Sequence, residues 1–155
     1  MTKRWPKFYL GVDPGTSGAM ALVDGDGKLV DVIKLKETHH DVWDWLDPHH
    51  RKLYETQIDF AVLEKVHSMP KQGVASSFKF GASYGFCQGM LVAARIRFEL
   101  VTPQKWQHAM GCRTGGDKNI TKSRAQALFP NKKITHAIAD ALLIADYARR
   151  IRETR

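Results

Sequence analysis

Asp24-Gly25-Asp26-Gly27 separates two apolar runs with residues that accept positive φ, so the chain turns back on itself there and pairs Gly18 to Val23 with Lys28 to Leu35 as an antiparallel hairpin. Upstream, Phe8-Tyr9-Leu10-Gly11-Val12 is a short buried-strand pattern that ends at Asp13 and a Pro14-Gly15 turn. These runs make a three-strand antiparallel meander. Asp41 to Leu46 then reads as a short helix carrying Trp43, Trp45 and Leu46, stopped by Asp47-Pro48. Ile58 to Leu63 is a fourth strand, ending at Glu64. Helical spacing runs from Gly73 to Arg97, with Phe78, Phe86, Met90 and Val92 among its apolar positions, and Phe98 to Val101 is a fifth strand. Thr102-Pro103 opens a short helix through Met110, because threonine suits the cap and proline the first helical position. Gly111 to Asn119 is a glycine-rich basic loop, followed by helices over Thr121 to Phe129 and Thr135 to Arg152. Antiparallel strands followed by alternating helices and strands predict one α/β domain over residues 1–155, a mixed sheet flanked by helices.

Composition narrows the class. With 43% hydrophobic and 26% charged residues, the 155-residue chain can build a core and is not a disordered polymer. No uncharged apolar run is long enough to span a membrane, and Met1 to Pro6 lacks the apolar stretch of a secretory signal, so a cytoplasmic protein is expected. Cys87 and Cys112 fit neither a disulfide framework nor a zinc spacing. The net charge of +8 is uneven: residues 101–155 hold 11 basic and 4 acidic side chains, a net of +7. Such a surface is either a solubilising face or a site for a polyanion, of which nucleic acid is the commonest.

Three carboxylates carry the chemistry. Asp13 ends the first strand, Glu64 ends the fourth, and Asp140 interrupts the apolar run Ala137 to Ala145. A buried acid is costly unless a cation or hydrogen bonds offset it, which is a reason to bring the three together. If the first and fourth strands are neighbours, Asp13 and Glu64 end side by side and the last helix lays Asp140 against both. Such a group is an oxygen cage for Mg²⁺ or Mn²⁺. His136 lies one helical turn before Asp140 on the same face, where it completes a metal site, moves a proton, or is simply a first-turn residue.

Asp13-Pro14-Gly15-Thr16 also has two functional readings. A strand, an Asp-x-Gly-Thr turn and a second strand occur in the phosphate-binding hairpin of sugar kinases and actin-like ATPases, and at the first catalytic acid of ribonuclease H-like nucleases. An actin-like ATPase needs two such domains, which 155 residues do not accommodate.

Four ordered segments point to a family. Val12-Asp13-Pro14-Gly15, Leu63-Glu64-Lys65-Val66-His67 with Met69-Pro70-Lys71-Gln72-Gly73, Val101 to Trp106, and Ala139 to Ala145 resemble the successive motifs of RuvC-type Holliday junction resolvases, in particular those of phages and prophages. The resemblance runs from about residue 8 to 150. It implies a ribonuclease H-like fold, a homodimer, divalent metal and paired nicking of four-way DNA junctions in a bacterial or phage-infected cell. It places Asp13, Glu64 and Asp140 on the metals. The family commonly has an acid or a histidine shortly before the last acid, and Thr135-His136 stands there, so His136 is the fourth candidate for catalysis and metal binding.

Two metals about 4 Å apart would activate water on one side of a phosphodiester and stabilise the leaving oxygen on the other, leaving a 5′ phosphate. Lys105, Arg113, Lys118 and Lys122 are candidates to grip the DNA backbone or offset its charge. Lys71, Phe78 and Phe80 follow Glu64 and are candidates to enter an opened junction, although core packing is the expectation for at least one phenylalanine. Ser77, Gly81, Gly85, Gly89 and Ala93 form a ridge of small residues on the long helix, which predicts close approach by this chain's sheet or by a second subunit. His39, His40, His49 and His50 flank the short helix and read as surface residues. No small-molecule cofactor or membrane partner is expected. Ribonuclease H activity on RNA–DNA hybrids and a non-catalytic module for branched or single-stranded DNA are the alternatives.

Overall fold

Strand β1 (Lys7–Asp13) lies in the middle of the sheet because its interior residues are apolar on both faces: Tyr9, Leu10 and Val12 are all buried. In the computed structural model, which describes residues 6–51 and 57–155, β1 pairs antiparallel with β2 (Ala19–Asp24) and parallel with β4 (Gln57–Glu64). Strands β3 (Leu29–Lys34) and β5 (Phe98–Val101) complete a mixed sheet of order β3-β2-β1-β4-β5. The Asp24 carboxylate accepts the backbone N–H groups of Asp26 and Lys28 and closes the β2–β3 turn, with Gly27 at φ 80°.

Helices cover both faces. On one lie α1 (His39–Arg51) and α2 (Val74–Ala93), where Val42, Leu46 and Leu91 pack on Leu10, Val12, Met20, Leu22 and Leu63. On the other, α3 (Pro103–Ala109), α4 (Lys118–Leu128) and α5 (His136–Glu153) pack on Tyr9, Ala21, Val23, Phe60 and Val62. The alternation of side chains along a strand therefore puts Asp13 and Glu64 on the α5 side. Gly11, two residues before Asp13, lets α5 come close: a Cβ there would stand 2.2 Å from the Ala145 nitrogen and 2.3 Å from the Ala141 carbonyl oxygen.

Several boundaries differ from the sequence-based expectation. Helix α1 begins at His39 because Thr38 and Asp41 bond reciprocally around its first turn, and it continues through Asp47-Pro48 to Arg51. Val42 and Leu46 anchor the helix to the core ahead of Pro48. His39 and His40 are thus inside the helix rather than flanking it; both are exposed, and His39 stacks on Phe86 with ring centroids 3.8 Å apart. The side chains of His49 and His50 lie outside the described residues. Helix α2 stops at Ala93, short of Arg97, because Arg95 takes φ 56° and the Ile96 N–H turns back to the Leu91 carbonyl at 3.0 Å, which buries Ile96. Helix α4 starts at Lys118, three residues early, because the Asp117 side chain caps it through the Asn119 N–H at 2.9 Å.

The small-residue ridge of α2 does not meet the sheet. Gly81, Gly85, Gly89 and Ala93 are exposed, and a Cβ at any of the three glycines would meet nothing within 4 Å. Phe78 (77% exposed) and Val92 (66%) share this solvent side, so neither is a core position; Cys87, Met90 and Leu91 are the buried residues of the helix. Among the described residues no helix is long and apolar enough to cross a membrane.

Candidate active site

The parallel register pairs Val12 with Leu63, so β1 and β4 finish together and deliver Asp13 and Glu64 to the same end of the sheet. Helix α5 crosses the face above them, and Asp140 lies in its second turn. The charges of the three acids act on one another, as those of neighbours do. Asp13 is pushed well above the usual carboxylate range, first by burial and then by the charges of Glu64 and Asp140, with Lys118 pulling it back. Glu64 is pushed up to about 7 by burial and by Asp140, against a hydrogen bond from Trp106 and the charge of Lys118. Asp140 is raised by burial, against the Thr121 hydroxyl, Lys118 and His136. Three half-buried carboxyls that oppose one another's ionisation form a site short of positive charge.

Two residues of the same helix show what is unusual here. Asp146, also buried, is satisfied by Arg149 and Arg150, each at 2.8 Å. Oδ1 of Asp140 is buried without a hydrogen-bond partner among the described residues. An oxygen-only donor set with an orphan carboxylate oxygen suits a hard divalent cation, and Asp13, Glu64 and Asp140 are the residues that would hold it. They stand as mutually repelling neighbours rather than a closed cage: among the described residues, no three His, Cys, Asp or Glu side chains are already grouped to hold an ion. His136, expected as a fourth ligand, is the exposed first residue of α5, one turn before Asp140.

The remaining candidates divide. Lys118, exposed in the first turn of α4, acts electrostatically on all three acids. Lys105 is exposed on α3 next to Trp106, and Arg113 is exposed in the loop after it. Lys122, half-buried, lines a separate shallow groove on α4 with Asn119, Ser123 and Gln126. Lys71 is exposed with φ 67° just ahead of α2, and Phe78 projects from the first turns of that helix. Neither phenylalanine is in the core: half-buried Phe80 covers the acid loop, its ring 3.0 Å from where a Cβ on Gly15 would lie. Much of the basic excess is engaged elsewhere, since Arg149 and Arg150 hold Asp146, Arg152 holds Asp59 at 2.9 Å, and Arg155 holds Glu99.

Sequence reasoning missed four contributors. The fully buried Trp106 donates its indole N–H to Oε2 of Glu64 at 2.7 Å. Thr121, 2% exposed, lies beside Asp140. Ser83 Oγ accepts the Gly15 N–H at 3.0 Å and ties α2 to the Asp13 loop. Lys79 joins Thr16, Gln72, Ser76 and Phe80 around a groove of about 300 Å³ beside that loop. The only advance signal was the capped position of Trp106; a hydroxyl contact such as that of Ser83 across 68 residues has no local signature.

Comparison with known proteins bears on the fold. No protein-family model and no curated protein sequence matches the chain. Among solved structures, RuvC of Thermus thermophilus superposes with a TM-score of 0.61 at 16% identity, covering 95% of this chain and 96% of that one. The T. thermophilus RuvC in complex with a Holliday junction substrate gives a TM-score of 0.60 at 16% identity, with 94% and 96% covered. The mixed five-stranded sheet and its flanking helices are thus the RuvC, ribonuclease H-like fold.

Proposed function

We propose that the chain is a divalent-metal-dependent endonuclease that nicks four-way and related branched DNA, leaving 5′ phosphates, with Asp13, Glu64 and Asp140 at its centre. One observation carries the reading: three acids from β1, β4 and α5 meet at one end of a RuvC-like sheet, and one of them keeps an unpartnered buried oxygen. Mg²⁺ or Mn²⁺ bound there supplies the positive charge that a phosphodiester needs before a nucleophile approaches it. Lys118 offsets charge beside the acids, and His136 is placed to exchange a proton at the open edge of α5. The groove lined by Thr16, Gln72, Ser76, Lys79 and Phe80 runs next to the acid loop and suits a single DNA strand, with exposed Phe78 and Lys71 at its approach. Lys105, Arg113 and Lys122 extend the basic surface toward the duplex arms. Symmetric cuts require two centres, and the solvent-facing ridge of Gly81, Gly85 and Gly89 supports a homodimer through α2. In a bacterial or phage-infected cell such an enzyme works in the cytoplasm.

A labelled four-way junction incubated with the protein and Mg²⁺ or Mn²⁺ is the test. Paired nicks that vanish in Asp13→Asn, with junction binding retained, are expected. An intact junction under both metals refutes the nuclease reading, and preferential cutting of an RNA–DNA hybrid reassigns the substrate.

A further inference from the structure

Trp106, fully buried, donates its indole N–H to Oε2 of Glu64 at 2.7 Å. Its placement follows from the fold. The Lys65 N–H donates to the Val101 carbonyl at 2.8 Å, which holds the end of β4 against β5; Thr102 caps α3 and Pro103 starts it, so Trp106 arrives one turn later beneath Glu64. The ring is packed in the core beneath α5 and has no freedom to swing away. Glutamate has three side-chain torsions, and Glu64 faces the repulsion of Asp140. Left alone, it would turn toward solvent. An indole N–H is a donor with no lone pair and no charge, so it holds one carboxylate oxygen without competing for a cation and without neutralising the acid. Oε2 is thereby anchored, and the orientation of the carboxylate with it.

We propose that Trp106 is a positioning residue, fixing the orientation of the Glu64 carboxylate in the metal-binding centre. This rests on the reading of the acids as a divalent-metal site. Replacing a partner that orients a ligand from outside typically lowers metal affinity or activity roughly 10- to 100-fold.

Trp106→Phe keeps the ring packing and removes the donor. Calorimetric titration with Mn²⁺ should show an affinity roughly 10- to 100-fold lower than wild type, and junction cleavage should lose kcat with KM for DNA unchanged. In the wild-type protein, the Trp106 signal among the chain's four indole N–H resonances should move on Mg²⁺ saturation, a change a purely structural tryptophan would not show. A folded Trp106→Phe protein with wild-type Mn²⁺ affinity and kcat overturns the assignment and leaves the nuclease reading intact. Should that variant not fold, a stationary Trp106 signal while the Asp13 and Asp140 amides shift overturns it equally. Wild-type protein that binds no Mn²⁺ overturns both.

Discussion

Asp140 and Asp146 lie six residues apart on α5 and differ in what they hold: Asp146 grips Arg149 and Arg150 at 2.8 Å, whereas Oδ1 of Asp140 is buried with no partner among the described residues. Burial costs both carboxylates their water; two arginines compensate Asp146, whereas Thr121, Lys118 and His136 offset the cost for Asp140 only in part. One acid serves the fold and the other opposes it.

Substitution should therefore separate the two. Asp146→Asn leaves two arginines facing a neutral partner and should lower unfolding free energy by about 3 kcal/mol in urea titrations. Asp140→Asn should raise stability at neutral pH while abolishing junction cleavage. Equal losses of stability in both variants would contradict the distinction.

The acids also set a pH dependence. Glu64 titrates near 4.5 in the unfolded chain and at about 7 in the fold, so the folded form binds the extra proton between these values and metal-free stability falls as pH rises through that window. Partial solvent exposure reduces the roughly 3 kcal/mol of the full shift to about 2. Thermal midpoints without metal should be higher at pH 5 than at pH 8, Glu64→Gln should flatten the difference, and Mn²⁺ should raise the midpoint more at pH 8.

Glycines on opposite sides of the sheet should respond oppositely. At Gly11 a methyl group strikes the α5 backbone, so Gly11→Ala should cost at least about 3 kcal/mol or displace Asp140 enough to end cleavage. At Gly81 nothing stands in the way, and Gly81→Ala should stabilise the isolated subunit by about 0.5–1 kcal/mol. If α2 joins two subunits, the same change weakens their association in sedimentation equilibrium.

Charge near the acids should act differently from charge at the far end of α5. Junction affinity should fall steeply with salt; Lys118→Ala should reduce that slope by about one and slow cleavage roughly 100-fold. Arg152→Gln, which breaks a 2.9 Å bond to Asp59, should cost about 1 kcal/mol of stability and leave the slope unchanged.

The strands and the three acids were legible because strand alternation, turn chemistry and the cost of a buried charge are local or near-local rules. Asp13 at a strand end and Asp140 in an apolar run were visible for that reason. Helix limits were less so: Asp117 and Thr38 cap with side chains that also suit loops, and Arg95 closes α2 at a positive φ for which its residue type carries no signal. Repeated glycine on α2 shows that some face is bare, but whether sheet or solvent lies opposite depends on tertiary placement. Net charge was legible in amount and not in use, because the arginines from Arg149 to Arg155 meet acids on β4, β5 and α5 itself.

The seat of α5 on β1 at Gly11 has a consequence for the order of assembly. Leu142, Leu143 and Ile144 fill one face of the sheet, and Asp140 is on the same helix. A chain in which α5 has not yet docked has neither a covered sheet nor a third acid. Docking α5 and bringing Asp140 to Asp13 and Glu64 are the same event, so the acid group does not exist before the core on that face is closed.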